Sequence, residues 1–237
     1  VSNAASVPGA SERVIDRFVE RDGVHGWRCE IDGVSVRFLG RGTPAERDAP
    51  LPGSWLPAGV ERGRLRQVHG DRVQEGRRGG CGEGDGLVTS APRLALEIAT
   101  ADCVPILFAG DGRIGAAHAG WRGLVAGIVP ATIARLGGGR GLRAFVGPAI
   151  GPCCYEVEEE VARSIAAASP GAEVIAARST RGRPHVDVVA ATVAQLARCG
   201  VEIVAQSTLC TRCRPEILWS YRRDGVGAGR NLALVWR

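Results

Sequence analysis

LALEIATADCVPILFAGDGRIGAAHAGWRG, residues 94–123, is the stretch whose reading decides the fold. Leu94 to Ala99 and Val104 to Ala109 are apolar runs of strand length, separated by a polar break at Ala101-Asp102-Cys103. Asp111-Gly112 is a turn signal that leads into a third run, Arg113 to His118. Gly120-Trp121-Arg122-Gly123 ends the strand pattern. Leu124, Ile128 and Leu136 then begin a helical period, and Pro130 is expected to kink it.

On the N-terminal side, Trp27, Cys29 and Ile31 alternate with polar residues, and so do Val34, Val36 and Phe38. Asp32-Gly33 between them is a two-residue hairpin signal, and pairing Ile31 with Val34 puts all of these apolar side chains on one face. Residues 40–64 hold four Pro and five Gly and read as loop. Leu65 to His69 reads as a short strand. Residues 76–86 contain six Gly and read as a second loop, with Asp85 at its end.

On the C-terminal side, Ala144 to Val146 is strand-like and runs into Gly147-Pro148. Glu156 to Ala168 reads as a helix with acidic residues in its first turns, where the helix dipole favours them. Asp187 suits the N-cap of a helix running to Cys199, and Gly200 suits its stop. Val201 to Ala205 and Leu232 to Trp236 are the last strands. Strands and helices interleave, hairpins are frequent and there is no internal repeat, which together predict a mixed sheet in one α+β domain.

The chain of 237 residues carries a net charge of +5, and 45% of its residues are hydrophobic, enough for a sizeable core. No run of about 18 apolar residues could span a membrane. Val1 to Arg13 lacks the charged start and apolar stretch of a signal peptide, and Ser2-Asn3-Ala4 reads as a tag scar, so residues 1–12 are set apart from the fold. All thirty basic residues are Arg, which excludes Schiff-base chemistry and a phosphate-loop Lys. They are scattered with few aromatics among them, against nucleic-acid binding. The eight Cys, without an export signal, point to a reduced, cytoplasmic setting and to metal or catalytic roles rather than disulfides.

Of the four His, two stand at strand ends: His69 in Arg66-Gln67-Val68-His69-Gly70 and His118 in Ala117-His118-Ala119-Gly120. Cys103 lies in the break between two strands. Two imidazoles and a thiolate make a three-ligand zinc set with a fourth position open, the pattern of a catalytic site. Zinc would deprotonate Cys103 and lower the pKa of a bound water to roughly 7. From the residues alone, three readings stay open: a metal site, satisfied buried His and Cys, and a Cys–His nucleophile pair. Cys210-Thr211-Arg212-Cys213, with Cys153-Cys154, could form a Cys₄ structural zinc site or a redox pair. Adjacent cysteines suit a tetrahedral site poorly, and ordinary thiols are the plainer reading. Cys29, Cys81 and Cys199 read as packing or surface thiols. Arg122, ahead of a helix start, makes an anion seat. Tyr221-Arg222-Arg223-Asp224-Gly225 and Gly229-Arg230-Asn231 add cations in a Gly-rich stretch.

Taken together, Arg66-Gln67-Val68-His69-Gly70, Thr100-Ala101-Asp102-Cys103, Ala117-His118-Ala119-Gly120-Trp121-Arg122-Gly123, the segment from Gly147 to Val157 and Ser220-Tyr221-Arg222-Arg223-Asp224-Gly225 resemble the laccase-domain family, the YfiH-like or polyphenol-oxidase-like purine nucleoside phosphorylases. The resemblance runs from about residue 65 to the C-terminus. Residues 36–64 depart from it, lacking the family's Ser-Leu-Asn-Leu-Gly segment and Asn-Arg pair. It implies a mixed α/β sandwich in a catalytic domain over 13–237, and one zinc held by His69, Cys103 and His118. It also implies phosphorolysis of adenosine, inosine, guanosine and methylthioadenosine, with adenosine deamination as a second activity. An older family description is copper-dependent polyphenol oxidation, but four His cannot furnish the usual multicopper set. On this reading Asp102, Cys103 and Arg122 carry catalysis. Arg66, Gln67, Arg122, Arg222 and Arg223 bind substrate or phosphate, with Arg122 and Arg66 as the phosphate clamp. Asp102 or Asp85 moves protons. The alternative from another class is a metal-free hydrolase using Cys103 with His69 or His118.

Overall fold

The computed structural model describes residues 14–46 and 48–237; the tag-derived segment expected at 1–12 lies outside them. In chain order the first strands are β1 (Val19–Arg21), β2 (Val24–Ile31), β3 (Val34–Leu39), β4 (Glu61–Arg66), β5 (Val73–Glu75), β6 (Gly79–Glu83) and β7 (Gly86–Thr89). They are followed by β8 (Leu94–Thr100), β9 (Val104–Ala109), β10 (Ile114–Ala119), α1 (Trp121–Ala126), α2 (Ile128–Arg135) and β11 (Arg143–Val146). The last are α3 (Glu159–Ala168), β12 (Ile175–Arg178), β13 (Pro184–Val186), α4 (Val188–Arg198), β14 (Glu202–Gln206), α5 (Tyr221–Asp224) and β15 (Asn231–Trp236).

Two mixed sheets carry the fold. One has the order β1-β2-β3-β15-β8-β4-β6, the other β14-β11-β9-β10-β7-β5, and β12-β13 is a separate hairpin. The sheets face each other. Val36, Phe38, Leu96, Ile98 and Val235 from the first meet Leu107, Ile114, Ala116 and Phe145 from the second in one buried cluster. The outer face of the second sheet, through Ile106, Phe108, Ala117 and Val146, packs on α1 to α4. The outer face of the first is covered by the Pro-rich segment, whose Leu51 and Trp55 join Ala95, Leu234 and Trp236. β8, β9, β10 and β15 are therefore buried on both faces, which is why they read as nearly unbroken apolar runs.

The β2–β3 hairpin has the expected register, Ile31 opposite Val34 and Trp27 opposite Phe38. Asp32 and Gly33 both have positive φ, 47° and 74°, as a type I′ turn requires. Asp187 caps α4 by accepting from the Ala190 N–H at 2.8 Å.

Four boundaries differ from the sequence reading. The strand expected at Leu65 to His69 begins earlier and ends at Arg66, because Val68, His69 and Gly70 turn their N–H groups toward Asp85. The Gly-rich stretch 76–86 contains a strand, β6, an edge partner of β4. The close approach that glycine permits is on β4: a Cβ on Gly63 would stand 2.7 Å from the Arg77 carbonyl. The first helix breaks at Gly127, which is left-handed at φ 98°, whereas Pro130 sits in the first turn of α2, where it displaces no helical hydrogen bond. The helix expected from Glu156 begins at Glu159.

Candidate metal centre and cavity

Three distant segments converge where the two sheets meet. His69 follows β4 of the first sheet, Cys103 lies between β8 and β9, and His118 is in β10 of the second. Their ligand atoms all lie within 4.8 Å of one another. The rings of His69 and His118 stand edge to face, with centroids 4.8 Å apart. Gly120 leaves room for this set, since a Cβ there would come within 3.0 Å of both Cys103 Sγ and His69 Cδ2.

Asp85 organises the centre from behind. It is fully buried and accepts the N–H groups of Val68 (3.2 Å), His69 (3.0 Å) and Gly70 (2.7 Å). This nest of amides holds His69 in the left-handed region, φ 62°, a conformation that costs about 1–3 kcal/mol without such support. The Asp85 carbonyl accepts the His118 N–H at 2.7 Å, and its carboxylate meets His118 Nδ1 at 2.8 Å. An ionised carboxylate only accepts, so Nδ1 carries a proton, and Nε2, on the side of Cys103 and His69, is the nitrogen that a metal would take up once its own proton is lost.

The electrostatics follow from this packing. Burial pushes the Cys103 thiol up, but hydrogen bonds and positive charge from His118 and His69 outweigh it and bring it down to about 6. Burial pushes His118 down, but Asp85 and the Cys103 thiolate carry it up to about 9. Burial opposes ionisation of Asp85 as well, and the bonds from His118 and Gly70 hold it below the usual carboxylate range. Two imidazoles around one thiolate, with a buried carboxylate orienting one of them, is a donor set that fits a divalent transition metal.

The centre opens into a cavity of about 650 Å³, of the size that takes a small molecule. Arg66, Gln67, Asp102, Arg122 and Arg222, all named from the sequence, line it together with Trp121, Tyr155, Tyr221 and Arg230. Their roles divide. Arg66 is paired with Glu83 and is largely exposed. Gln67 is tied to β8, donating to the Ala99 carbonyl at 2.8 Å and accepting the Ala99 N–H at 2.9 Å. Arg122 lies over the Trp121 ring at 4.5 Å and Arg222 over Tyr155 at 5.2 Å. α1 behind Arg122 has six residues only, so the expected anion seat rests on the guanidinium rather than on a helix dipole. Arg223, expected beside the substrate, is not among the residues that line the cavity: it donates to the carbonyls of Thr211, Arg212 and Leu218 and pairs with Asp224, which fastens the 211–224 segment.

Asp102, at φ 108°, accepts from the Thr211 hydroxyl and from the Arg222 N–H, each at 2.6 Å, and so ties the α5 segment to the Cys103 loop. Asp85 is closed off from the cavity and spent on His118 and the amides. The position expected for a proton carrier is therefore one that touches His118 and the 68–70 backbone and not the cavity. The aromatic lining was not singled out from sequence, although a signal existed: both tyrosines of the chain, Tyr155 and Tyr221, line this cavity. Burial and the Cys103 charge push the Tyr155 hydroxyl up to about 12.

The family described as multi-copper polyphenol oxidoreductase laccase matches residues 56–237, beginning beyond most of the Pro-rich segment. A purine nucleoside phosphorylase of Mycobacterium tuberculosis is 41% identical over 182 residues, 73% of this chain and 70% of that protein. One from Deinococcus radiodurans is 40% identical over 198 residues, 81% of this chain and 76% of that protein. The crystal structure of YlmD from Geobacillus stearothermophilus superposes with a TM-score of 0.77 at 28% identity, covering 94% of this chain and 99% of that one. Neisseria meningitidis protein NMB0706 gives 0.76 at 26% identity, covering 89% and 98%. With its paired sheets, its metal-competent seam and these relatives, the chain belongs to the multi-copper polyphenol oxidoreductase laccase family, whose curated relatives here are named purine nucleoside phosphorylases.

Proposed function

We propose that this chain is a zinc-dependent purine nucleoside phosphorylase acting on adenosine, inosine, guanosine and methylthioadenosine, with adenosine deamination as a second activity. The observation that carries the reading is the meeting, in one cavity, of an open three-donor metal set with arginines and with both tyrosines. His69, Cys103 and His118 would hold the zinc, which supplies a Lewis acid beside the cavity when bound. Zinc suits the set better than a multicopper arrangement: among the described residues, neither His25 nor His185 belongs to a metal-competent group.

In phosphorolysis a phosphate oxygen bonds to C1′ of the ribose. The glycosidic C–N bond breaks, and the base leaves with the electron pair and takes up a proton. Arg122, with no carboxylate partner among the described residues, is the phosphate clamp, with Arg222 and Arg230 near it. Glu83 already neutralises Arg66, so Arg66 contributes less. Trp121, Tyr155 and Tyr221 offer faces to the purine. Tyr155 keeps its proton, so its hydroxyl would serve as a hydrogen-bond donor to the substrate. In deamination water adds at C6 and ammonia leaves. Asp102 is the carboxylate lining the cavity, and each of its oxygens retains a lone pair beyond the bond it already accepts.

The test is an assay of purified protein of known metal content with inosine and adenosine, with and without phosphate. Phosphate-dependent release of hypoxanthine with ribose 1-phosphate is expected, and inosine formation from adenosine without phosphate. Turnover that is insensitive to phosphate and to metal removal would overturn the reading. Arg122→Ala should raise the phosphate KM at least about tenfold, the loss of one charge-assisted hydrogen bond of about 1.5–3 kcal/mol. An unchanged phosphate KM counts against the clamp.

The metal-free hydrolase reading has one observation in its favour, the Cys103–His118–Asp85 chain with its lowered thiol. The second imidazole, His69, at the same thiolate has no part in such a triad, and it tips the reading to metal.

A further inference from the structure

We infer that Cys153, Cys154, Cys210 and Cys213 form a second metal centre, a structural tetrathiolate zinc site that fastens the 147–155 loop to the 207–214 segment. Their four Sγ atoms lie within 4.8 Å of one another. Cys213 Sγ is 3.7 Å from Cys153 Sγ and 3.4 Å from Cys154 Sγ. A tetrahedral site with Zn–S bonds of about 2.3 Å has sulfur–sulfur edges of about 3.8 Å, so the four thiols stand close to the spacing one ion imposes. All four are free cysteines. A disulfide would need one pair at about 2.05 Å and would strand the other two sulfurs.

The backbone around the cluster is built to bring the sulfurs together. Adjacent cysteines are a poor pair on a strand, where they point to opposite faces. Here a turn carries them: the Cys154 and Tyr155 N–H groups both donate to the Gly151 carbonyl at 3.0 Å, and both thiols reach the same point. Gly151 permits the approach, since a Cβ there would stand 3.2 Å from Cys210 Cβ and 3.4 Å from Cys153 Sγ. Its N–H donates to Cys210 Sγ at 3.2 Å, a bond that favours the thiolate. Four thiolates around Zn²⁺ carry two surplus negative charges, and Arg212 between the CxxC cysteines offsets part of this by donating to Cys154 Sγ at 3.6 Å.

The two segments otherwise touch through few bonds, chiefly the Thr211 N–H to the Ala149 carbonyl at 3.0 Å. Both lead to the cavity. Thr211 holds Asp102, and Cys154 precedes Tyr155. The ion would therefore fix the part of the cavity wall that carries Asp102 and Tyr155. Tetrahedral all-sulfur ligation selects zinc or iron, and zinc is the commitment made here.

The test is metal analysis of the wild-type protein, His118→Ala and Cys213→Ser, with Cys199→Ser, a cysteine that belongs to neither cluster, as the control. Expected contents are two zinc ions per chain in wild type and in Cys199→Ser, and one in each of the other two. If the first centre holds no metal, wild type carries one zinc and Cys213→Ser none, which leaves this inference standing and defeats the other reading. Should Cys213→Ser fail to fold, His118→Ala protein, which keeps only this site, answers in its place: mercurial titration should release its one zinc as the four thiols are blocked, and cobalt substitution should give the intense thiolate charge-transfer bands of a four-sulfur site. Unchanged zinc in a folded Cys213→Ser, iron in place of zinc, or a disulfide between these cysteines in a non-reducing peptide map would overturn it.

Discussion

Asp85→Asn tests whether one buried carboxylate builds the candidate metal centre. The isosteric amide keeps a single accepting oxygen, and the structure assigns two pairs of donors to the carboxylate. Oδ1 accepts from the His69 N–H and meets His118 Nδ1, while Oδ2 accepts from the Val68 and Gly70 N–H groups. If the amide oxygen stays with His118, its NH₂ faces two backbone N–H groups, and both are orphaned at about 1–3 kcal/mol each. If it flips, the NH₂ faces His118 Nδ1, forces the proton onto Nε2 and removes the atom that would bind metal. Either outcome loses about 2–6 kcal/mol of stability or the ligand itself. Removal of a carboxylate that orients a ligating His costs about 10–100-fold in metal affinity. Urea unfolding of the metal-free protein and competition with a chromophoric chelator read the two losses. A variant within about twofold of wild type in zinc affinity, with an unmoved unfolding midpoint, would refute the argument.

Three further outcomes follow from the same geometry. In metal-stripped protein, alkylation of Cys103 should rise with pH through about 6, because the reactive thiolate is held down to that value, and bound zinc should protect it; a midpoint near the ordinary thiol value of about 8.5 defeats this. At pH 7.5 Cys103 is already ionised while His118, raised to about 9, is still protonated, so zinc uptake should expel a proton from His118. Calorimetry in buffers of different ionisation enthalpy measures that proton, and zero release contradicts the assignment. Gly120→Ala pushes a methyl group to 3.0 Å from two ligands and should lower zinc affinity while leaving the far-UV dichroism of the sheets unchanged; equal affinity would mean that the centre is looser than its packing implies.

Strands buried on both faces were legible in the sequence because each carries its own signal, an apolar run closed by a turn, as at Leu94 to Ala99 and Val104 to Ala109. The β2–β3 register was legible for the same reason, since Asp32-Gly33 leaves one pairing that keeps Trp27 and Phe38 on a common face. β6 was hidden because glycine has no side chain to alternate, and its pairing depends on β4, which lies distant in the chain. The helix break moved from Pro130 to Gly127 because proline in a first turn costs nothing, a distinction that needs the true start of α2. At the site, His69, Cys103 and His118 were found as strand-end residues. The work of Asp85 was not, because its Gly-rich surroundings read as loop and its partners are backbone amides that any residue supplies. Arg223 and Arg222 look equivalent in sequence, and only the turn of α5 sends one toward the cavity and the other into carbonyl oxygens.

The convergence of His69, Cys103 and His118 from both sheets has a consequence for how the molecule matures. None of the three donors has a ligand neighbour close by along the chain, so the denatured polypeptide offers an ion no local chelate at this centre, and binding cannot seed the fold as it does in small zinc modules. Loading of that centre would follow closure of the sandwich, so that its occupancy would gauge how many molecules in a preparation have docked one layer on the other.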